Sequence, residues 1–148
     1  SSLMNAAHIH LMINHFPIIL PFIAIITRII AHVIKSDSMR RYALGILIVG
    51  AITSFIAMQS GERAEEIVED LPGISETYIH NHEESAEIFS VITYIAGGIA
   101  CIALWADIKR KSYAQVIVEI AIVLSVVSLF YAQKTGTSGG EIRHEEIR

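Results

Sequence analysis

Four apolar runs, each bounded by short charged segments, dominate this sequence. A bilayer's hydrocarbon core needs roughly 17–25 helical residues to cross it. Inside that core every backbone N–H and C=O must be satisfied within the spanning element, so only helices or closed barrels qualify. The runs extend about from Leu11 to Ile34, Tyr42 to Met58, Ser85 to Ala106 and Tyr113 to Tyr131. All four reach spanning length, which disfavours the competing reading of a soluble bundle with buried helices. The expected fold is all-α: a four-transmembrane-helix bundle forming a single integral membrane domain over residues 1–148.

Composition agrees. Hydrophobic residues make up 53% of the chain, mean hydropathy is +0.52, and only 18% of residues are charged. The net charge of -4 leaves no basic footprint for nucleic acid. The single cysteine, Cys101, excludes an internal disulfide, and there is no C-x-x-C-H motif for covalent haem. The opening Ser1-Ser2-Leu3-Met4-Asn5 has no basic n-region, so no signal peptide is expected.

Punctuation between the runs refines this picture. Pro17 and Pro21 fall near the start of the first span, where missing N–H groups cost least. If helix precedes Pro17, a kink is expected near His15. Ser60-Gly61 reads as the end of the second span. The acidic stretch from Glu62 to Asp70 places Ala64, Ile67, Val68 and Leu71 at helical spacing. It reads as a short amphipathic helix on the surface, stopped by Pro72-Gly73. Ser75, stapled by Ile74 on Ile79, is one candidate start for the third helix, and Asn81 with Glu84 is another. Trp105 suits the interfacial belt. Thr135 to Gly140 reads as a turn before a charged tail.

Basic residues in short loops set orientation. Lys35, Arg40 and Arg41 follow the first span; Lys109, Arg110 and Lys111 follow the third. Both loops are therefore assigned to the cytoplasmic side of a bacterial inner membrane. The acidic loop from Glu62 to Glu84, whose single basic residue is Arg63, and both termini are assigned to the periplasm.

With that orientation, six of the seven histidines gather at the outer face. His8, His10 and His15 come from the first segment, His80 and His82 from the entrance of the third span, and His144 from the tail; only His32 lies at the inner end. Imidazole serves as metal ligand, haem ligand or proton carrier. A haem in a helical bundle needs ligands from facing helices at matched depth. His15 and His82 are the best-matched pair for a b-type haem, and His10 with His144 could supply a second if the tail folds back. Met12 is a weaker candidate ligand. Gly45, Gly50, Gly97 and Gly98 permit close approach by a macrocycle or, more commonly, by another helix.

A non-haem copper, zinc or iron site is the alternative, with Glu83, Glu84 or Glu87 joining the histidines. The H-E-x-x-H signature is absent, because Ala86 stands where its second histidine would be. No nucleophile constellation stands out, so an enzyme acting alone is not expected. A third reading is a structural subunit of a larger respiratory or transport complex. With only His32 near the inner side, redox centres are expected near the outer face. There an acidic surface could steer a soluble periplasmic cytochrome. Lipid is the other expected partner.

Two ionisable residues lie deeper in the spans. Arg28 is about two turns from the inner end of the first, and Glu119 is at similar depth in the fourth. Unpaired charges there are costly, so an Arg28–Glu119 ion pair facing the bundle interior is expected. Glu119 is also a candidate proton carrier.

The stretch His10-Leu11-Met12-Ile13-Asn14-His15-Phe16-Pro17-Ile18 resembles the H-P-x-x-V-H-F-P-I opening of the bacterial family called domain of unknown function 2231. His82-Glu83-Glu84-Ser85-Ala86 resembles that family's segment at the start of span three. The run from Thr135 through Gly140, Glu141 and Ile142 to His144 resembles its T-G-x-x-G-G-E-L close and following histidine. The resemblance implies four spans and places the family histidines on His10, His15, His82 and His144. Four such residues would suit two bis-histidine haems or one polynuclear metal site. Leu11 replaces a usual Pro, and Glu145-Glu146 replaces a usual Gly-Val.

Overall fold

The computed structural model describes residues 15–68 and 76–143, with side chains described over 15–59 and 84–134. Helix α1 is Phe16–Ile34, α2 is Asp37–Val68, α3 is Glu76–Ile108 and α4 is Ala114–Arg143. No strand occurs among the described residues. Each helix contains a segment long and apolar enough to cross a membrane: Phe16–Ile34, Asp37–Gln59, Glu84–Ile108 and Ala114–Lys134. At 1.5 Å per residue, the 19 residues of α1 rise about 28 Å, close to the hydrocarbon thickness.

Local chemistry explains the helix ends at the basic side. Lys35 and Arg110 both adopt left-handed backbone, with φ of 54° and 55°. At each, the following amide reaches back to a carbonyl five residues earlier: Ser36 N–H to Ala31 at 3.0 Å, and Lys111 N–H to Ala106 at 2.9 Å. This is the Schellman closure, with a basic residue where glycine is usual. Ser36 then caps α2, its hydroxyl accepting from the Met39 N–H at 3.2 Å. At the opposite end α1 starts with Pro17 in its first turn, and the His15 carbonyl accepts from the Ile18 and Ile19 amides. Pro21 sits inside α1. The kink expected near His15 depends on residues before it, which lie outside the described ones.

Two expected breaks do not occur. α2 continues through Ser60 and Gly61 to Val68, so the acidic stretch as far as Val68 extends the second helix beyond its span rather than starting a separate amphipathic helix. α4 likewise continues through the Thr135–Gly140 run expected to turn. Extending an existing helix adds one hydrogen bond per residue fixed, whereas stopping and restarting requires a new nucleus. That advantage outweighs the roughly 1 kcal/mol that an interior glycine costs. The Asn81 start is also superseded, because α3 already begins at Glu76. Ile74 and Ser75, and the Pro72-Gly73 stop, fall outside the described residues.

The helices pack in antiparallel sequence. α3 packs most extensively on α4, α2 packs on both α1 and α3, and α1 closes against α4. α1 and α3 therefore stand on opposite corners. The core at the basic end is built from Ala24, Leu44, Leu47, Ala100, Ala103, Val118, Ala121 and Ile122. Alanines let helices approach closely, which matters in lipid, where apolar burial gives no drive for association. Gly97 goes further. A Cβ placed on it would lie 2.5 Å from the Ala51 Cβ, so α2 and α3 touch there through hydrogen. That space belongs to a neighbouring helix and not to a macrocycle. Gly50 faces Leu20 and Pro21 at ordinary contact distance, and Gly45 and Gly98 face open space.

Candidate functional site

The two ends of the bundle carry different chemistry. α1 and α3 both run from the histidine end toward the basic end, because one antiparallel helix separates them. His15 immediately precedes α1 and His82 lies in α3, two residues before the apolar segment starting at Glu84. The two histidines therefore belong to one end of the bundle, on opposite corners. His15 is exposed and its imidazole makes no capping hydrogen bond. His82 has a described backbone only. His10 and His144, the proposed second pair, lie outside the described residues, as do His8 and Met12. His32 is exposed near the basic end. Among the described residues no three His, Cys, Asp or Glu side chains gather closely enough to hold a metal ion.

Toward the histidine end the interior becomes polar. Ser54, Ser85, Ser90, Thr93, Ser125 and Ser128 are all buried, and all lie at or beyond mid-depth on that side. Ser54 and Ser90 approach across the α2–α3 contact, hydroxyl to hydroxyl, at 3.4 Å. The Thr93 and Ser128 hydroxyls donate to the Phe89 and Ser125 carbonyls of their own helices. The Ser125 Oγ is buried without a hydrogen-bond partner. Leaving such a group unpaired costs stability.

The basic end is held by charge. Arg28 reaches from α1 to Glu119 on α4, with its Nε donating to Oε1 at 2.9 Å and its Nη2 donating to the same oxygen. Arg28 is 8% exposed at its side chain, whereas Glu119 is 49% exposed. The pair thus bridges the interior and the outer surface of the bundle rather than lying wholly inside.

A second charged site sits at the same end. Asp107, near the end of α3, is buried and accepts from Arg40 Nη2 at 2.6 Å and Arg40 Nε at 3.2 Å. Its other oxygen accepts from Arg41 Nε at 3.0 Å, and Arg40 also meets Asp37 at 3.1 Å. Two arginines at the start of α2 thereby clamp the last turn of α3. Sequence reasoning used Arg40 and Arg41 for orientation and passed over Asp107. The available signal was an acid at the end of an apolar run, matched in depth to two arginines. Beside it, the Lys111 ammonium stands 5.6 Å from the Trp105 ring centroid, a cation–π contact at the interfacial belt.

This architecture agrees with what the sequence matches. The family described as predicted membrane protein (DUF2231) matches residues 6–146. The chain belongs to this family. The match reaches both histidine-bearing ends of the sequence, including His10 and His144. No curated protein and no solved structure shows a significant match.

Proposed function

We propose that this DUF2231 membrane protein is a b-type haem-binding subunit that transfers electrons near the periplasmic face of a bacterial inner membrane. The observation that carries this reading is the placement of His15 and His82 at one end of the bundle, on opposite corners. Bis-histidine coordination requires ligands from two elements at matched depth. The basic half is filled by alanine-rich contacts, and at mid-depth Gly97 presses α3 onto Ala51 of α2, which leaves no room for a macrocycle at either level. The histidine half holds buried hydroxyls, among them Ser54, Ser85, Ser90 and Ser128. The two histidines at one level support a group held at that end. His15 and His82 would hold it, and His10 with His144 would hold a second haem. Haem iron would supply one-electron chemistry. The chain would fix its depth in the membrane.

The periplasmic assignment follows from the side-chain charges. Lys35, Arg40, Arg41, Lys109, Arg110 and Lys111 share the end opposite His15. Short loops rich in Lys and Arg stay cytoplasmic. The acidic run of Glu62, Glu65 and Glu66 extends α2 at the histidine end. It offers an electrostatic approach for a basic electron-transfer partner or a larger respiratory complex.

The test is a visible spectrum of protein purified from haem-replete cells. The expected result is a Soret band and a sharp reduced α-band, both lost in His15→Ala and in His82→Ala while the helical circular dichroism is kept. A colourless protein with stoichiometric copper, zinc or non-haem iron would replace this reading with the His-cluster metal site. A colourless, metal-free protein would leave the structural-subunit reading.

A further inference from the structure

The end of the bundle away from the histidines holds more cations than its acids neutralise. Lys35, Lys109, Arg110 and Lys111 are all exposed, and none of them pairs with a carboxylate among the described residues. Arg40 and Arg41 are held by Asp107, but not equally. Arg40 has all three guanidinium nitrogens engaged: Nε and Nη2 donate to Asp107 Oδ1, and Nη1 lies 3.1 Å from Asp37. Arg41 donates through Nε to Asp107 Oδ2 at 3.0 Å and through Nη2 to the Asp107 carbonyl at 3.4 Å. Its Nη1 has no partner among the described residues. The Arg41 side chain is 36% exposed, twice the 18% of Arg40, whereas Asp107 is buried. A buried acid thus fixes one edge of the Arg41 guanidinium, and the other edge carries N–H donors that no protein group uses.

Depth decides what can reach those donors. Arg41 lies four residues into the second span, which begins at Asp37, and Asp107 lies one residue before the third span ends at Ile108. Trp105, Tyr42 and Tyr113 are exposed at the same level, as interfacial aromatics are. The anion always present at that depth is the phosphodiester of a lipid headgroup. A planar guanidinium already oriented by an acid meets such a group with parallel N–H donors. A zwitterionic headgroup would add its own cation to a rim that already carries four without carboxylate partners. A headgroup of net negative charge adds none.

We propose that Arg41 anchors a binding site for an anionic phospholipid in the leaflet facing the basic end. Arg41 takes the phosphodiester through its free edge, and Asp107 is the positioning residue that holds the guanidinium for it. Lys35, Lys109, Arg110 and Lys111 supply the attraction at longer range, with Lys111 kept at the interface by the Trp105 ring. The site depends neither on a cofactor nor on which side of the membrane the basic end faces.

Native mass spectrometry of the full chain in mild detergent tests this. Phosphatidylglycerol and phosphatidylethanolamine with identical acyl chains are offered at equal concentration. The wild-type protein should retain phosphatidylglycerol several-fold better. Arg41→Gln should weaken that retention about fivefold, the factor that one cation near an anionic headgroup supplies. Arg41→Lys should recover only part of it, because an ammonium lacks the planar fork. Lys134→Gln removes an exposed cation at the opposite end of α4 and should change nothing. Variants are compared at equal helical circular dichroism, and the wild-type comparison of the two lipids stands even if Arg41→Gln fails to fold. Equal retention of the two lipids by the wild-type protein would overturn the proposal. So would equal losses in Arg41→Gln and Lys134→Gln, full retention in Arg41→Lys, or displacement of the lipid by millimolar inorganic phosphate.

Discussion

Arg28 on α1 directs two N–H groups at a single carboxylate oxygen of Glu119 on α4, joining the first and last helices of the bundle. The contact spans 91 residues of sequence and lies about two turns from the basic end. It is the only ion pair between α1 and another helix among the described residues. α1 otherwise meets α4 through a much smaller surface than the one joining α3 to α4. The pair is thus placed to decide whether the bundle closes.

Removing Glu119 should leave the Arg28 guanidinium inside the bundle without a partner. Losing one member of a buried pair costs about 3–5 kcal/mol, and the exposure of Glu119 lowers this to about 2 kcal/mol. Glu119→Ala and Arg28→Ala are each expected to destabilise the purified protein, and the double variant should lose less than the sum. Thermal or denaturant unfolding in detergent measures all three. Additive losses would show that the contact contributes nothing specific.

Asp107 should matter more than either of its arginine partners. It is buried and serves both Arg40 and Arg41, whereas Arg41 is 36% exposed at its side chain and can reach the headgroups alone. Asp107→Ala is expected to cost about 2–3 kcal/mol, and Arg41→Ala less than about 1 kcal/mol. Arg40→Ala should fall between them, because Arg40 shares its charge with exposed Asp37. An unfolding series showing Arg41→Ala as the most damaging change would contradict this hierarchy.

These two sites mark what the sequence reveals and what it withholds. Depth within a span can be counted, so Arg28 and Glu119 can be recognised as partners across 91 residues. Span parity can be counted too, and it puts His15 and His82 at one end. Asp107 hid beside Lys109, Arg110 and Lys111, where an acid reads as an ordinary loop charge. Helix ends were harder. Ser60-Gly61 and the Thr135–Gly140 run have turn composition, yet both lie inside helices, because propagation is cheaper than a fresh nucleus. Rotational phase was not legible: nothing in the sequence distinguishes Gly97, pressed on Ala51, from Gly98, which faces open space. The same limit applies to Glu119, whose depth could be counted while its exposure on the outer face could not.

Orientation can be checked directly. Ser38 and Ser112 are exposed beside the two basic turns. With Cys101→Ala as background, a cysteine at either position should react with a membrane-impermeant maleimide only after the cytoplasmic side is opened. Labelling of intact spheroplasts at both positions would reverse the assignment, and with it the placement of the histidine end in the periplasm.

The contact between Gly97 and Ala51 gives the sharpest packing test. Gly97→Ala would place a methyl group 2.5 Å from the Ala51 Cβ, inside any allowed carbon–carbon distance. Neither atom belongs to a flexible side chain, so α2 and α3 must separate. Overpacking of this kind costs typically about 1–3 kcal/mol. Gly98→Ala, with nothing within 4 Å, should instead be neutral or slightly stabilising through helix propensity. If the loss in Gly97→Ala is purely steric, Ala51→Gly should restore most of it by returning the space from the other side. The rescued double variant should also recover the α2–α3 approach that sets Ser54 against Ser90. Unfolding midpoints of the four proteins measure the effect. A Gly97→Ala variant as stable as Gly98→Ala would mean that the two helices do not approach this closely, and a failure of Ala51→Gly to rescue would place the cost in the backbone rather than in the contact.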